Sequence, residues 1–165
     1  MTTFIEQENE PSYTTMNRVS IDDIDNEPRV SSIQKHLTEP LGLTDMAMNY
    51  YELEPDESFS GGLHTHTGQE EIFYILEGEA TFETKEDNFT VTAGEVIRFA
   101  PGEYQEGKNE SEARVSALAL GAPQEMGETR SALPCQECGA DYHIADVHAS
   151  GVTLTCPDCE NEFTV

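Results

Sequence analysis

Residues 61–82 have the sequence GGLHTHTGQEEIFYILEGEATF, in which two histidines precede an apolar run and a glycine. His64 and His66 are two residues apart, so in a strand both imidazoles point to the same face. Glu71 opens an apolar run that ends at Leu76 and is typical of the next strand, and its carboxylate can lie across from the histidines. The three side chains therefore predict a site for one metal ion.

This stretch resembles the first motif of the cupin family, in which a glycine is followed by His-x-His, then by Glu, six further residues and Gly. The residues in register with that motif are His64, His66, Glu71 and Gly78. Residues 94–109, GEVIRFAPGEYQEGKN, are similar to the second cupin motif, with Gly94, Gly102 and Asn109 at matching positions. Gln105 stands where the family has its third histidine. The resemblance covers about residues 45–120 and implies a jelly-roll β-barrel.

The resemblance also implies a divalent metal, Fe, Mn, Zn or Ni, held by His64, His66 and Glu71. Gln105 either coordinates the ion or orients a bound water. Two imidazoles and one carboxylate form the ligand set of non-haem Fe(II) oxygenases. If the Gln105 amide oxygen also coordinates, a harder set suited to Mn(II), Zn(II) or Ni(II) and to isomerase or hydrolytic chemistry results. Glu70 is the alternative carboxylate, but the motif spacing favours Glu71.

The rest of the chain predicts an all-β fold. Short apolar or alternating runs separated by Gly, Pro, Asn or charged clusters predict strands over residues 45–53, 58–59, 71–76, 80–84, 89–92, 96–99 and 114–120. Residues 31–37 are less clear and are interpreted as a short helix. Tyr74, Arg98 and Tyr104 are polar candidates near the site, and Arg98 either anchors a carboxylate substrate or pairs with surface acids.

All four cysteines lie in two CxxC pairs, Cys135 with Cys138 and Cys156 with Cys159, with 17 residues between the pairs. Four thiolates at this spacing are typical of a structural, tetrahedral Zn(II) site, with iron bound as in rubredoxin the alternative. Residues 142–147 and 152–155 can form a hairpin between the two pairs, so the segment resembles a zinc ribbon. His143 and His148 are predicted to be surface residues, because four sulfurs already fill the site.

The predicted organisation has four parts. Residues 1–15 form a polar, disordered leader, and translation begins either at Met1 or at Met16. Residues 16–120 form the barrel, with its core in 45–120; residues 121–133 form a linker, and residues 134–165 form the ribbon. The ribbon has six acidic residues and no Lys or Arg, which favours a protein partner over nucleic acid.

The chain has 33 acidic and 8 basic residues and a formal net charge of -25. Such charge repels itself at ordinary ionic strength, whereas about 1 M salt shortens the screening length to roughly 3 Å. We therefore predict a halophilic protein, as made by halophilic archaea, that binds neither nucleic acid nor anionic membrane. Its apolar runs are too short to cross a bilayer, and it has no secretory leader pattern, which predicts a cytoplasmic location.

Two classes of function remain open. The first is a metal-dependent cupin that acts on or senses a small polar metabolite, with dioxygenase or isomerase chemistry. The second is a non-catalytic small-ligand-binding or protein-interaction module stabilised by a structural zinc ribbon. The resemblance further implies a homodimer that forms through sheet edges.

Overall fold

The computed structural model describes residues 16–148 and 151–165, so the predicted leader at residues 1–15 lies outside the described residues. The described chain is almost entirely β-structure. Its strands are β1 (Ile33–His36), β2 (Ala47–Leu53), β3 (His64–His66), β4 (Glu70–Glu77), β5 (Glu79–Glu83), β6 (Asn88–Thr92), β7 (Val96–Phe99), β8 (Glu106–Lys108), β9 (Val115–Ala122), β10 (Thr129–Ser131), β11 (His143–His148), β12 (Gly151–Thr155) and β13 (Glu162–Thr164). A 3-10 turn at Ile21–Asp23 and the short helix α1 (Thr38–Leu41) complete the elements.

The first layer of the barrel is a five-stranded antiparallel sheet in the order β1-β2-β9-β4-β7. Side chains alternate between its two faces, so Tyr51, Ala117 and Ile75 share one cross-strand row and are all buried. The glycine turn after β4 is tight, because a Cβ on Gly78, at φ +77°, would lie 2.5 Å from the Arg114 carbonyl oxygen. This turn starts β5 and sends the chain into the second layer.

The second layer contains the sheet β6-β5-β8 and a longer sheet in the order β13-β12-β11-β10-β3. A backbone bridge between His64 and Gln105 joins the two sheets, with hydrogen bonds of 3.1 and 2.8 Å in opposite directions. The strand that carries the histidine pair is therefore part of a surface that continues from the barrel into the C-terminal strands.

A cluster of aromatic rings fills the space between the layers. Phe73 and Phe82 have ring centroids 4.9 Å apart, and Phe59 and Phe99 pack against both of them at 5.1–6.3 Å. The aliphatic part of the core consists of Leu53, Ile75, Ala80, Val91, Val115, Ala117 and Ala119. Burial of such side chains is the main driving force for closing two sheets of this kind.

The all-β jelly-roll prediction is confirmed, and the main predicted strands appear within one or two residues of their expected ends. The predicted helix over residues 31–37 is wrong, because Ile33–His36 pairs with β2 as strand β1. The helix instead follows at Thr38–Leu41, and it ends at Gly42, whose φ is +68°. Cross-strand pairing thus overrides the local pattern of this segment.

The structure places β10 inside the predicted linker, residues 121–133. This strand pairs with β3 on one side and with β11 on the other, and both pairings are antiparallel. The predicted boundaries of the four parts stay a prediction, but residues 129–131 are a strand that joins two sheets rather than a free connection. No helix in the described part of the chain is long and apolar enough to cross a membrane.

Candidate metal centres

The two histidines of β3 point to the barrel interior, as their spacing predicts. The ring centroids of His64 and His66 lie 5.1 Å apart, while the intervening Thr65 points to the other face and is buried there. Strand β3 is held on both sides, by β10 and by the bridge to Gln105. The backbone that carries both imidazoles is therefore held in place by hydrogen bonds on both sides.

Each imidazole has a hydrogen-bond partner at Nδ1. The Nδ1 of His64 lies 2.9 Å from the carbonyl oxygen of Gly62, and the Nδ1 of His66 lies 3.0 Å from the hydroxyl oxygen of Thr129. A carbonyl oxygen can only accept, so His64 donates from Nδ1 and carries its lone pair at Nε2. Contacts of this kind orient imidazoles that bind metal through the other nitrogen.

Glu71 reaches the histidines from the opposite layer. It lies on β4 across from Phe99 and Gly121, and its Oε1 is 3.6 Å from the Nε2 of His66. One ligand atom each from His64, His66 and Glu71 lies within 4.8 Å of the others. The structure therefore brings the three predicted residues together, although their binding of a metal stays a prediction.

The side chain of Glu70, the alternative carboxylate ligand, points away from the two histidines. Glu70 precedes Glu71 on β4, so its side chain leaves the opposite face, where it accepts a hydrogen bond from Arg98 at 2.5 Å. Arg98 is thus paired with a surface acid. Tyr74 is 37% exposed on the same outer face, and Tyr104 lies under the Lys85 ammonium at 3.6 Å, so neither contacts the triad.

Gln105 lies against the triad and is only 2% exposed. Its Nε2 donates to the Glu71 Oε2 at 2.8 Å and lies 3.4 Å from the His64 Nε2. Its Oε1 is buried and, among the described residues, has no hydrogen-bond partner. The amide thus orients the carboxylate in this arrangement, and its oxygen is an unused acceptor within the site.

The electrostatics of the site suit a cation. Burial lowers the pKa of His64, which keeps this imidazole neutral and able to bind metal. Burial raises the pKa of Glu71, but the contacts with His66, His64 and Gln105 outweigh it and hold this pKa below its usual value. A carboxylate and two imidazoles form a donor set that fits a divalent transition metal.

The four cysteines form a second cluster at the end of the molecule. Each CxxC pair is a tight turn, in which backbone N–H groups of Glu137 and Cys138 donate to Cys135, and those of Asp158 and Cys159 donate to Cys156. Burial raises the pKa of Cys156, but these N–H groups and the contacts with the Cys138 and Cys159 side chains together lower it to about 7. The pKa of Cys135 is also lowered, mainly by the N–H groups, whereas a backbone N–H group lowers the pKa of Cys138 and of Cys159 but contacts among the sulfurs outweigh it and raise the pKa of both. A cluster that shares negative charge among close thiols in this way suits a cation.

The sulfur geometry matches a tetrahedral ion. The Sγ atoms of Cys135 and Cys159 are 3.7 Å apart, and those of Cys138 and Cys156 are 3.5 Å apart. A tetrahedron with metal–sulfur bonds of about 2.3 Å has edges of about 3.8 Å. All four sulfurs lie within 4.8 Å of one another, so the cluster could hold one metal ion and leaves no position open for substrate.

The surface placement predicted for His143 is wrong. This residue is 1% exposed, packs edge-on against Phe163 at 5.3 Å, and donates from Nδ1 to the Leu133 carbonyl oxygen at 2.7 Å. Its backbone pairs with Ser131 of β10, a strand that the sequence pattern does not predict. Thr129 lies on the same strand and is therefore not predicted as a site residue, although its hydroxyl contacts His66.

Comparisons with known proteins agree with the fold. Residues 49–121 match the family model described as the cupin domain. A sugar phosphate isomerase from a cupin superfamily, from Silicibacter pomeroyi, superposes with a TM-score of 0.67 at 19% identity over 87% of this chain and 95% of that chain. A predicted oxalate decarboxylase from Thermotoga maritima gives a TM-score of 0.56 at 27% identity over 64% of this chain and 98% of that chain.

A structure from Acidithiobacillus ferrooxidans gives a TM-score of 0.53 at 22% identity over 59% of this chain, and this chain spans only 62% of its length. No curated protein matches the chain. The similarities show a cupin jelly-roll barrel, and the activities in those names belong to the other proteins.

Proposed function

We propose that this cupin barrel is a divalent-metal enzyme that acts on a small polar metabolite at the site formed by His64, His66 and Glu71. The observation that carries the proposal is the convergence of the three side chains, with the Nδ1 atom of each imidazole occupied by a contact outside the site. A barrel stabilised only by packing would not require two nearly buried histidines and a carboxylate in one place.

A bound metal would polarise a substrate oxygen or activate dioxygen. Three protein ligands favour the oxygenase class, because two imidazoles and a carboxylate leave positions for both dioxygen and substrate. The unpartnered Oε1 of Gln105 favours the second candidate, an isomerase. Rotation of that amide would place a fourth, harder ligand at the ion and reduce the open positions.

The chain's own residues prepare the site in three ways. His64 and His66 present their imidazoles from a strand that is paired on both sides. Gln105 holds Glu71 in place through a buried hydrogen bond. Phe73, two residues from Glu71 on β4, and Phe99, paired with Glu71 from β7, belong to the buried core and give the site an apolar wall.

We further propose that the four-cysteine cluster holds zinc in a structural role. The sulfur spacing fits zinc, and a three-stranded sheet of about 30 residues has too little core for independent stability. A ribbon without Lys or Arg favours a protein partner over nucleic acid.

The test is metal analysis of the full chain purified in high salt without chelator or affinity-column metal. Wild type is compared with Glu71→Gln and with Glu70→Gln, which removes a neighbouring carboxylate from the outer face. We expect two metal equivalents in wild type and Glu70→Gln but one in Glu71→Gln, with zinc retained. Oxygen uptake and isomerase screens with small hydroxy acids, keto acids and sugars then follow with each of Fe(II), Mn(II), Ni(II) and Zn(II).

Equal metal content in all three proteins, one zinc each, would contradict the proposal if added metals also failed to bind. The chain would then belong to the class of non-catalytic ligand-binding or interaction modules. Metal binding without turnover of any substrate in either screen would argue for a sensing role of the same site.

A further inference from the structure

We propose that Thr129 is a positioning residue for His66, and that the barrel's affinity for its metal depends on the folded ribbon. This inference rests on the proposed metal function of the barrel. It assigns a task to the segment between barrel and ribbon, which the two cupin motifs do not include.

The contact is specific in register and in distance. Thr129 and His66 are directly paired across β10 and β3, so their side chains leave the same face of the sheet. The hydroxyl oxygen lies 3.0 Å from Nδ1 of an imidazole whose Nε2 faces Glu71. An Nδ1–H donated to this hydroxyl leaves the Nε2 lone pair free for the metal.

The two histidines differ in where their support comes from. His64 donates to the Gly62 carbonyl, two residues away in the same loop. His66 is oriented by a residue 63 positions further along the chain. The side-chain hydrogen bond that orients His66 therefore depends on the placement of β10, whereas the one that orients His64 does not.

The ribbon holds β10 in place. Arg130 and Ser131 pair with Ile144 and His143 of β11, and β11 pairs with β12 between the two cysteine turns. His143 also donates to the Leu133 carbonyl, just before the first cysteine turn. Unfolding of the ribbon removes the pairing partner of β10 on one side, and so loosens the strand that orients His66.

The first experiment uses the full chain with zinc retained in the ribbon and the barrel site emptied, and calorimetric titration with Mn(II), which binds thiolates poorly. Thr129→Val keeps the shape and removes the hydroxyl; Thr129→Ser keeps the hydroxyl. Ser131→Ala is the matched control, because Ser131 lies on the same strand as Thr129 and pairs with His64. Within the described part of the chain, the Ser131 hydroxyl has no hydrogen-bond partner. We expect about 10- to 100-fold weaker binding for Thr129→Val, and wild-type binding for Thr129→Ser and Ser131→Ala.

Nitrogen NMR of the histidine rings gives a readout that loss of packing alone would not change. With Zn(II) bound at the barrel through Nε2, the His66 ring proton is at Nδ1, where the Thr129 hydroxyl accepts it. In Thr129→Val this proton has no acceptor, so its exchange with water should be faster than in wild type, while that of the His64 Nδ1 proton stays unchanged. Equal metal affinity and equal exchange of the His66 Nδ1 proton in wild type and Thr129→Val would overturn the proposal.

The second experiment removes the ribbon's metal with Cys138→Ser. We expect weaker binding at the barrel, by a factor similar to that for Thr129→Val, with no further loss in the double variant. Unchanged barrel affinity in a protein that has lost its zinc would overturn the dependence on the ribbon. If Cys138→Ser does not fold, Thr129→Val still tests whether Thr129 positions His66. Failure of wild type itself to bind metal would instead refute the proposed function.

Discussion

Replacement of Gln105 by methionine separates the two roles that this residue can have at the barrel site. Methionine has nearly the same length and volume but no amide. The change removes the 2.8 Å hydrogen bond to Glu71 and also the buried oxygen that has no partner. The first loss is unfavourable and the second is favourable, so we expect little change in the stability of the metal-free protein.

Metal affinity should respond more strongly. A hydrogen bond to a charged group contributes about 1.5–3 kcal/mol, and about 1.4 kcal/mol corresponds to a tenfold change in an equilibrium constant. If Gln105 only orients Glu71, the dissociation constant for Mn(II) should rise about 10- to 100-fold. If the amide oxygen is a metal ligand, the loss should approach that of His64→Ala.

The assay is calorimetric titration of wild type, Gln105→Met and His64→Ala, each with zinc retained in the ribbon and the barrel site emptied, with thermal unfolding of each protein as the control for folding. Affinity within threefold of wild type would refute the orienting role. Affinity as low as that of His64→Ala, in a protein with wild-type unfolding temperature, would make Gln105 a ligand and favour the isomerase candidate.

Other predictions concern stability and assembly. Asn109→Ala should lower the free energy of unfolding by about 3 kcal/mol, which corresponds to a fall of roughly 6–12 °C in unfolding temperature. The fully buried Asn109 amide donates to the Leu53 and Ala113 carbonyls and accepts from Ser111. A shift below 2 °C would contradict this prediction. Burial raises the pKa of Glu57, but hydrogen bonds from Ser32 and Glu54 outweigh it and lower this pKa. Glu57→Gln should therefore destabilise the protein at pH 7, and the difference from wild type should disappear as the pH falls below the Glu57 pKa. Urea unfolding at a series of pH values measures this difference. The unfolding temperature should rise from 0.1 M to 2 M KCl because salt screens the net charge of -25, and a fall would refute the proposed halophily. The predicted homodimer through sheet edges should appear as a dimer in sedimentation experiments in high salt, and a monomeric wild type would contradict it.

The barrel strands and the convergence of His64, His66 and Glu71 follow from local sequence patterns. Strand parity alone places both imidazoles on one face and separates Glu71 from Glu70. The spacing of the four cysteines similarly predicts their cluster. These features depend on residues that are close in sequence, and side-chain alternation along a strand describes only such short separations.

The features that the sequence did not reveal depend on pairing between distant segments. The three residues of β10, Thr-Arg-Ser, have neither apolar alternation nor β-branched enrichment, so nothing local marks them as a strand. Their position between β3 and β11 explains the backbone pairing of His143 and the contact of Thr129 with His66. Gln34 and Lys35 are likewise in a strand because β2 offers an edge to pair with.

The position of β10 also determines which backbone groups of the barrel are open to other molecules. Without β10, the N–H and C=O groups on one side of β3 would face solvent beside His64 and His66, and such an open edge is a template for unwanted pairing with another chain. The C-terminal strands cover that side and move the free edge to β13, which is three residues long and begins with Glu162. The C-terminal strands thus cover the side of β3 that carries the pairing with β10, and their loss would expose its backbone groups.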